Sequence, residues 1–578
     1  MFKRIFFACA LAASVTLQLS AQSSLSWTQW SKDPQHTGNI NVAGQSFNNV
    51  FADIVYDPFA AAEQAASDDD LLVHYQTPLT DGDDMFMEFK SGNFTQVSHW
   101  ETQNWDEKRF HWENGQLVEK WTFHSDWDPV PYASNQSGNG PFWEPVFHAA
   151  LVGNFVYVPG AGGTVYKLDR ATGAVASRIN PFGTPINSNI FVAGPLSADS
   201  AGNVYYNAIQ LTSGQPWDND VVNSWLVKVT PAGTATKATF ASLTPDAPAG
   251  TDLCKVGFSN AELPWPPSPT AEAPLAPCGS QRPGINVAPA IAPDGTIYTV
   301  SRAHFVTRYN YLVAANPDLS PKWAASTRGR LNDGCNVLIP PNGTPGGCRV
   351  GATTGVDPST NEPPPGRVLD DGTSSPTVTP DGSVLIGVYT RYNFAQGHLF
   401  KFGSNGRFKA AYPFGWDVTP AIYPHDLTYS IVIKDNHYSE VGSYCNVESI
   451  CPSDRTGTYP NDPESYFITR LNPALKVEWK FQNTNTLSCT RQPDGSVTCV
   501  SDHPNGFEWC VNAFGIDSNG VVYANSEDGN IFAINPDGTL KEKRFLQLAI
   551  GAAYTPLTIG PDGKTYTQNF GHLFVLGN

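Results

Sequence analysis

Apolar and polar positions alternate over short stretches of the chain, as in Asn530-Ile531-Phe532-Ala533-Ile534-Asn535. That period of two predicts β-strands with two distinct faces. The stretches belong to a unit that recurs: a short apolar segment carrying a Pro, a tight turn, a β-rich segment, then a second strand. Three copies match position for position. Ala288-Pro289-Ala290-Ile291-Ala292 runs through Pro293-Asp294-Gly295 into Thr296-Ile297-Tyr298-Thr299. Ser375-Pro376-Thr377-Val378-Thr379 runs through Pro380-Asp381-Gly382 into Ser383-Val384-Leu385-Ile386. Thr555-Pro556-Leu557-Thr558-Ile559 leads to Pro561-Asp562-Gly563 and then Lys564-Thr565-Tyr566-Thr567. Pro pre-sets one φ and Gly supplies a positive one, so the tripeptide belongs between antiparallel strands.

Looser copies begin at Pro78, Pro145, Pro195, Pro420 and Asn512, which makes eight starts with Pro289, Pro376 and Pro556. The turn glycines Gly520 and Gly563 are 43 residues apart and Gly153 and Gly202 are 49 apart, whereas Gly295 and Gly382 are separated by 87 because a cysteine-bearing loop intervenes. A period of about 40 to 50 residues with four short strands per unit predicts a β-propeller. The fold class expected is all-β, an eight-bladed β-propeller. A four-stranded blade covers both its faces only against neighbouring blades. The last unit ends at Asn578 with too few strands, and the N-terminal stretch from Leu25 to about Tyr56 is expected to supply its outer strand and close the ring.

Composition sharpens this picture in three ways. A formal charge of −18 over 578 residues lacks the basic footprint that non-specific nucleic-acid binding needs. Residues 1–21 read as a signal peptide, with Lys3 and Arg4 before the apolar run from Ile5 to Leu19, and no later segment has the roughly 18 apolar residues of a membrane helix. Residues 22–578 are then one exported domain, secreted or periplasmic, and expected to be a monomer. In an oxidising compartment the cysteines pair as loop staples: Cys254 with Cys278, Cys335 with Cys348, Cys445 with Cys451, and Cys489 with Cys499. Cys510 is left over, or competes with Cys489 for Cys499. No Cys-x-x-Cys occurs, which disfavours zinc fingers and attached haem.

Two stretches resemble a known repeat. Residues 153–173, from Gly153-Asn154-Phe155-Val156-Tyr157 to Thr172-Gly173, and residues 520–538, through Val522-Tyr523-Ala524 to Pro536-Asp537-Gly538, are similar to the pyrroloquinoline-quinone-like (PQQ-like) propeller repeat. Trp27-Thr28-Gln29-Trp30 with Asp33-Pro34-Gln35-His36-Thr37-Gly38 resembles the leading segment of those proteins. The resemblance implies the fold of the quinoprotein alcohol dehydrogenase-like superfamily over nearly the whole mature chain. Some members hold PQQ and a divalent metal, usually Ca2+, on the propeller axis, and others are non-catalytic scaffolds. The adjacent cysteines that often flank the quinone have no counterpart here.

The residues just before each repeat's Pro are expected to converge at one mouth of the axis. Acids and amides there suit calcium, and large aromatics could stack on a flat ring. The candidates are Asp417 and Glu144 as general bases; Trp143, Trp416, Asn286 and Asn512 as cofactor-binding groups; and Asp371 and Glu508 as calcium ligands. The same acids could instead satisfy backbone donors, and the tryptophans could pack as plugs. Asp81-Gly82-Asp83-Asp84 and Asp68-Asp69-Asp70 lack the spacing of a calcium loop and read as solvated turns. Long inserts near residues 244–284, 329–371, 435–463 and 483–505 would emerge as recognition loops or as stapled decorations. Two functions follow: a non-catalytic binding or scaffold protein that presents loops to a protein or glycan partner, or a PQQ- and calcium-dependent dehydrogenase of alcohols or sugars.

Overall fold

The computed structural model describes residues 25–66, 75–96, 99–131, 146–213, 217–337, 348–370, 372, 374–393, 396–438, 464–551 and 554–578. Eight antiparallel sheets follow one another along these residues and form the blades of a ring, numbered here 1 to 8 in chain order. Their innermost strands are Leu79–Asp81, Ala150–Val152, Ser197–Ala198, Ala290–Ile291, Thr377–Val378, Ala421–His425, Gly515–Ile516 and Thr558–Ile559. Each lies within a few residues of one of the eight sequence-predicted starts. Blade 8 is completed from the far end of the chain: Asn49–Val55 pairs antiparallel with His572–Gly577, so the N-terminal region supplies the outer strand as expected.

The alternation read from the sequence is spent on two seams at once. In the second strand of blade 5, Val384, Ile386 and Val388 pack toward blade 4, beside Ala290, Tyr298 and Val300. Leu385 points the other way, to Ile422, Ile431 and Ile433 of blade 6. Every residue of Val384–Val388 is buried for that reason, and hydrophobic clusters of the same kind join neighbouring blades around the ring. The three Pro-Asp-Gly turns are built alike. Gly295, Gly382 and Gly563 take φ of 82°, 73° and 85°, and the Asp carboxylate accepts the amide of Thr296, Ser383 or Lys564 at 2.9 to 3.0 Å.

The sequence did not signal how the axis is closed. An inner strand has a free edge, with backbone N–H groups pointing at the axis and no ninth sheet to receive them. Residues 27–38 pass once round these edges in blade order. The amides of Thr80, Leu151, Ile291, Val378, Ile422 and Ile516 donate to the carbonyls of Trp27, Thr28, Pro34, Gln35, Thr37 and Gly38 at 2.6 to 2.9 Å. At blade 3 a side chain substitutes, the Ala198 amide donating to Gln29 Oε1 at 2.6 Å. Seven blades are tied by one strap. Its Trp30 is fully buried among Val146, Ala288 and Ala513, from blades 2, 4 and 7, and donates to Thr419 Oγ1 at 3.2 Å. Gly38 is required where the strap crosses blade 7: φ is +61°, and a Cβ there would lie 2.7 Å from the Phe514 carbonyl oxygen.

Disulfides Cys254–Cys278, Cys335–Cys348 and Cys489–Cys499 are formed, and Cys510 is a buried free thiol. Cys445 and Cys451 lie outside the described residues, as do residues 1–21, read above as a signal peptide, and Asp68-Asp69-Asp70. Among the described residues no helix is long and apolar enough to cross a membrane.

Candidate functional site

The segments leading into blades 4, 5 and 6 surround a small pocket of about 20 Å3 that opens to solvent. It is lined by Val287, Val368, Leu369, Gly372, Ser374 and Gly387, and by Arg367, Tyr389, Trp416 and Asp417. Trp416 and Asp417 were among the sequence candidates, and the structure brings them together. Tyr389 meets Trp416 edge to face with ring centroids 5.4 Å apart, and the Arg367 guanidinium lies over the Tyr389 ring at 5.4 Å. Backbone hydrogen bonds in both directions, 2.8 and 2.9 Å, hold Arg367 against Tyr389.

Asp417 is buried and forms an ion pair with Lys434 of blade 6 at 3.3 Å. The Lys434 ammonium lies 5.0 Å from the ring of Tyr554. Burial, followed by the charge of Asp417, pushes the Tyr554 phenol well above its ordinary range. Beyond it, Glu508 accepts from the Tyr438 hydroxyl at 3.0 Å. Burial and the carboxylates of Glu527, Glu508 and Asp417 push the Cys510 thiol up, against the lowering effect of Lys434. Asp417 and Glu508 thus share Tyr554 and Cys510 as neighbours, while Asp417 alone of the two lines the pocket.

The other candidates fall elsewhere. Asn286 is fully buried; its Oδ1 accepts the Val146 amide at 2.8 Å and its own amide donates to the Ala193 carbonyl at 2.8 Å, so it ties blades 2, 3 and 4. Asn512 is fully buried, its carbonyl accepting the Thr419 amide, and neither atom of its side-chain amide has a hydrogen-bond partner among the described residues. Trp143, Glu144 and Asp371 lie outside the described residues. Asp81 and Asp84 of the acidic turn are taken up by Arg170 and Arg109. Asn286 and Asp417 occupy the same place, three residues before the Pro of their repeats, and both have positive φ, 66° and 60°. Asn and Asp tolerate that conformation best among residues with a side chain, which is a signal the repeat alignment could have carried.

Sequence reasoning missed Arg367, Tyr389 and Lys434. Arg367 makes no ion pair with any described carboxylate, and its buried Nη2 has no hydrogen-bond partner among the described residues. Burial, followed by repulsion from Arg308, pushes its pKa down to about 9.

Two solved structures share this architecture along almost the whole chain. A europium-containing methanol dehydrogenase aligns at a TM-score of 0.50 and 10% identity, covering 94% of this chain and 89% of that one. The quinohemoprotein alcohol dehydrogenase from Comamonas testosteroni aligns at 0.50 and 12% identity, covering 96% and 81%. The fold is the PQQ-like β-propeller. At such identity the likeness is one of fold. No family model matches the chain, and none of the curated proteins matches it.

The PQQ-like propeller raises the question of whether its residues fit a quinone and calcium. Calcium takes about six to eight oxygen ligands, several of them carboxylate. Among the described residues no three His, Cys, Asp or Glu side chains gather as a metal set, and the Asp417 carboxylate already faces an ammonium. Glu144 and Asp371, two of the acids expected at the mouth, lie outside the described residues. A planar acid is a different matter, since Arg367 and the rings of Tyr389 and Trp416 supply a cation and two flat faces.

Proposed function

We propose that the chain is an exported, non-catalytic binding propeller that takes a planar organic anion at its axial mouth. The observation that carries this is Arg367: a guanidinium in a pocket, beside two aromatic rings, with Asp357 acting on it from beyond ion-pair distance and no described carboxylate in direct contact. A charge in that setting is costly unless it is paired, and a ligand carboxylate would pair it bidentately. Val287, Val368 and Leu369 would exclude water from the ring of the ligand. The quinone of the dehydrogenase reading belongs to the same chemical class, and one observation favours that reading: a carboxylate, Asp417, lines the same pocket as Arg367.

Calorimetric titration with benzoate and with pyrroloquinoline quinone, each with and without calcium, tests both. Saturable binding that is independent of calcium and lost in Arg367→Met supports the binding reading. Calcium-dependent quinone binding, with dye reduction by alcohols or sugars that disappears in Asp417→Asn, would replace it with the dehydrogenase. No saturable binding of either compound would overturn the pocket assignment.

A further inference from the structure

The fourth insert carries a two-stranded hairpin outside the eight blade sheets, Leu487–Arg491 running antiparallel to Val497–Ser501. Its two strands stand on unequal footing. The first is docked on the chain that leaves blade 7: the Arg491 amide donates to the Gln547 carbonyl at 2.9 Å, the Ala549 amide to the Cys489 carbonyl at 2.8 Å, and Arg491 Nε to the Leu546 carbonyl at 2.7 Å. Every residue of the second is exposed.

Cys489 and Cys499 face each other directly across the two strands and are joined by a disulfide. The hairpin is closed without it. Residues 487–491 pair one for one with 501–497, the Gln492 amide donates to the Ser496 carbonyl at 2.8 Å, Gly495 takes a φ of 84°, and Asp494 accepts the Ser496 amide at 2.9 Å. The bridge also spans the shortest separation of the three described disulfides, 10 residues against 13 and 24, so it removes the least chain entropy. Its setting differs as well. Cys254, Cys278 and Cys335 are fully buried and Cys348 is half-buried, whereas Cys489 is half-buried and Cys499 is exposed. Leu487 and Val497, two residues from Cys489 and Cys499 and therefore on the same face of the hairpin, flank the bridge and are both exposed. Thiol–disulfide exchange requires that a thiolate reach a sulfur, and this bridge offers one that the buried bridges do not.

We propose that Cys489–Cys499 is a site of thiol–disulfide exchange whose substrate is a small thiol that attacks Cys499. The substrate thiolate bonds to Sγ of Cys499, the S–S bond breaks, and its electron pair leaves on Sγ of Cys489, which takes up a proton. A second thiolate attacks the substrate sulfur of that mixed disulfide, departs as the substrate's own disulfide, and leaves Cys499 as a thiol. In sum, one protein disulfide and two thiols become two cysteine thiols and one substrate disulfide. Cys489 remains docked through its carbonyl, and the strand pairing keeps Cys499 opposite it, so the bridge re-forms by the reverse steps. This inference is independent of the pocket reading above.

The experiment exposes the folded full-length protein to glutathione, alkylates free thiols at timed intervals, and reads each cysteine by peptide mass spectrometry. Cys489 and Cys499 are expected to open at least about tenfold faster than Cys254–Cys278 and Cys335–Cys348, with a glutathione adduct on Cys499 before any on Cys489. In buffers of mixed reduced and oxidised glutathione the bridge should titrate reversibly while the other two stay closed. Cys510 is a free thiol buried in the fold, so its continued resistance to alkylation shows that the ring has not opened. A bridge that stays closed across the whole range of glutathione ratios, equal rates at all three bridges, an adduct that appears first on Cys489, or opening only together with alkylation of Cys510 would each overturn the proposal.

Discussion

Single residues at the axis contribute in ways their surroundings dictate. Trp30 fills the space that three blades leave between them, so Trp30→Ala removes a whole indole from a site that cannot collapse. A loss of about 3 to 5 kcal/mol is expected, read as a lowered denaturant midpoint with unchanged slope. Two histidines of the same region are buried, each with one ring nitrogen bonded to a backbone carbonyl: His36 to Pro376 at 2.8 Å and His148 to Ala149 at 2.7 Å. Burial lowers their pKa to about 4 and about 3. Because the folded pKa lies below the unfolded value near 6.5, the unfolded chain binds more protons in between. Their contribution is complete above about pH 6.5 and is lost as pH falls through the folded values. Urea unfolding at steps from pH 7 to 4 should show stability falling with acid, and His36→Asn with His148→Asn should flatten that slope. An unchanged slope would refute the assignment. Asp370 behaves as a carboxylate counterpart. It is held well below its usual range, against burial, by Arg282 and Arg302, which grip it at 2.6 to 2.8 Å and fix the loop carrying Leu369 and Gly372 of the pocket. Its stabilisation is present above about pH 4 and lost only in strong acid.

At the scale of elements, local chemistry and distant pairing divide the work. The Pro-Asp-Gly turns need only their own residues, the Gly for a positive φ and the Asp for the next amide but one, so the local sequence is enough to specify all three. The strap is the opposite case. Its partners lie in seven blades spread along the sequence from Thr80 to Ile516, and its own residues carry no period of two. Deleting residues 25–40 should free seven inner-edge amides and expose the axis, and hydrogen exchange at Leu151, Ile291, Val378 and Ile422 should rise together. Protection that persists at those amides would show that the strap is dispensable. The staples act more locally. Replacing Cys254 and Cys278 by Ser releases a segment of sequence separation 24 and should cost about 3 kcal/mol in the chain-entropy account, with loosening confined to that insert.

The whole molecule is a ring whose first segment touches seven blades and whose outer strand finishes the eighth. Blades joined only to neighbours would unfold piecemeal, as linear repeats do. A strap shared by seven of them links their fates, so thermal unfolding is expected as one calorimetric transition in the intact chain and as several after residues 25–40 are removed. Several transitions in the intact chain would contradict this.

The sequence by itself determined the repeat, the turns, the eight blade starts and the source of the closing strand, because each rests on short-range backbone chemistry or on the period of two. It also placed Trp416 and Asp417, which stand at a regular offset before the Pro of their repeat. Arg367 escaped that reasoning because it lies in an insert with no register, and Lys434 and Tyr389 because they sit on second strands and their continuations, where the repeat predicts only burial. Tertiary structure alone decided which side chains share the pocket, how the strap fills the axis, and that two inserts distant in sequence are hydrogen-bonded to each other. Those outcomes depend on groups brought together from distant parts of the chain, where the energy of burying a charge or satisfying an edge amide is set by neighbours that no local pattern records.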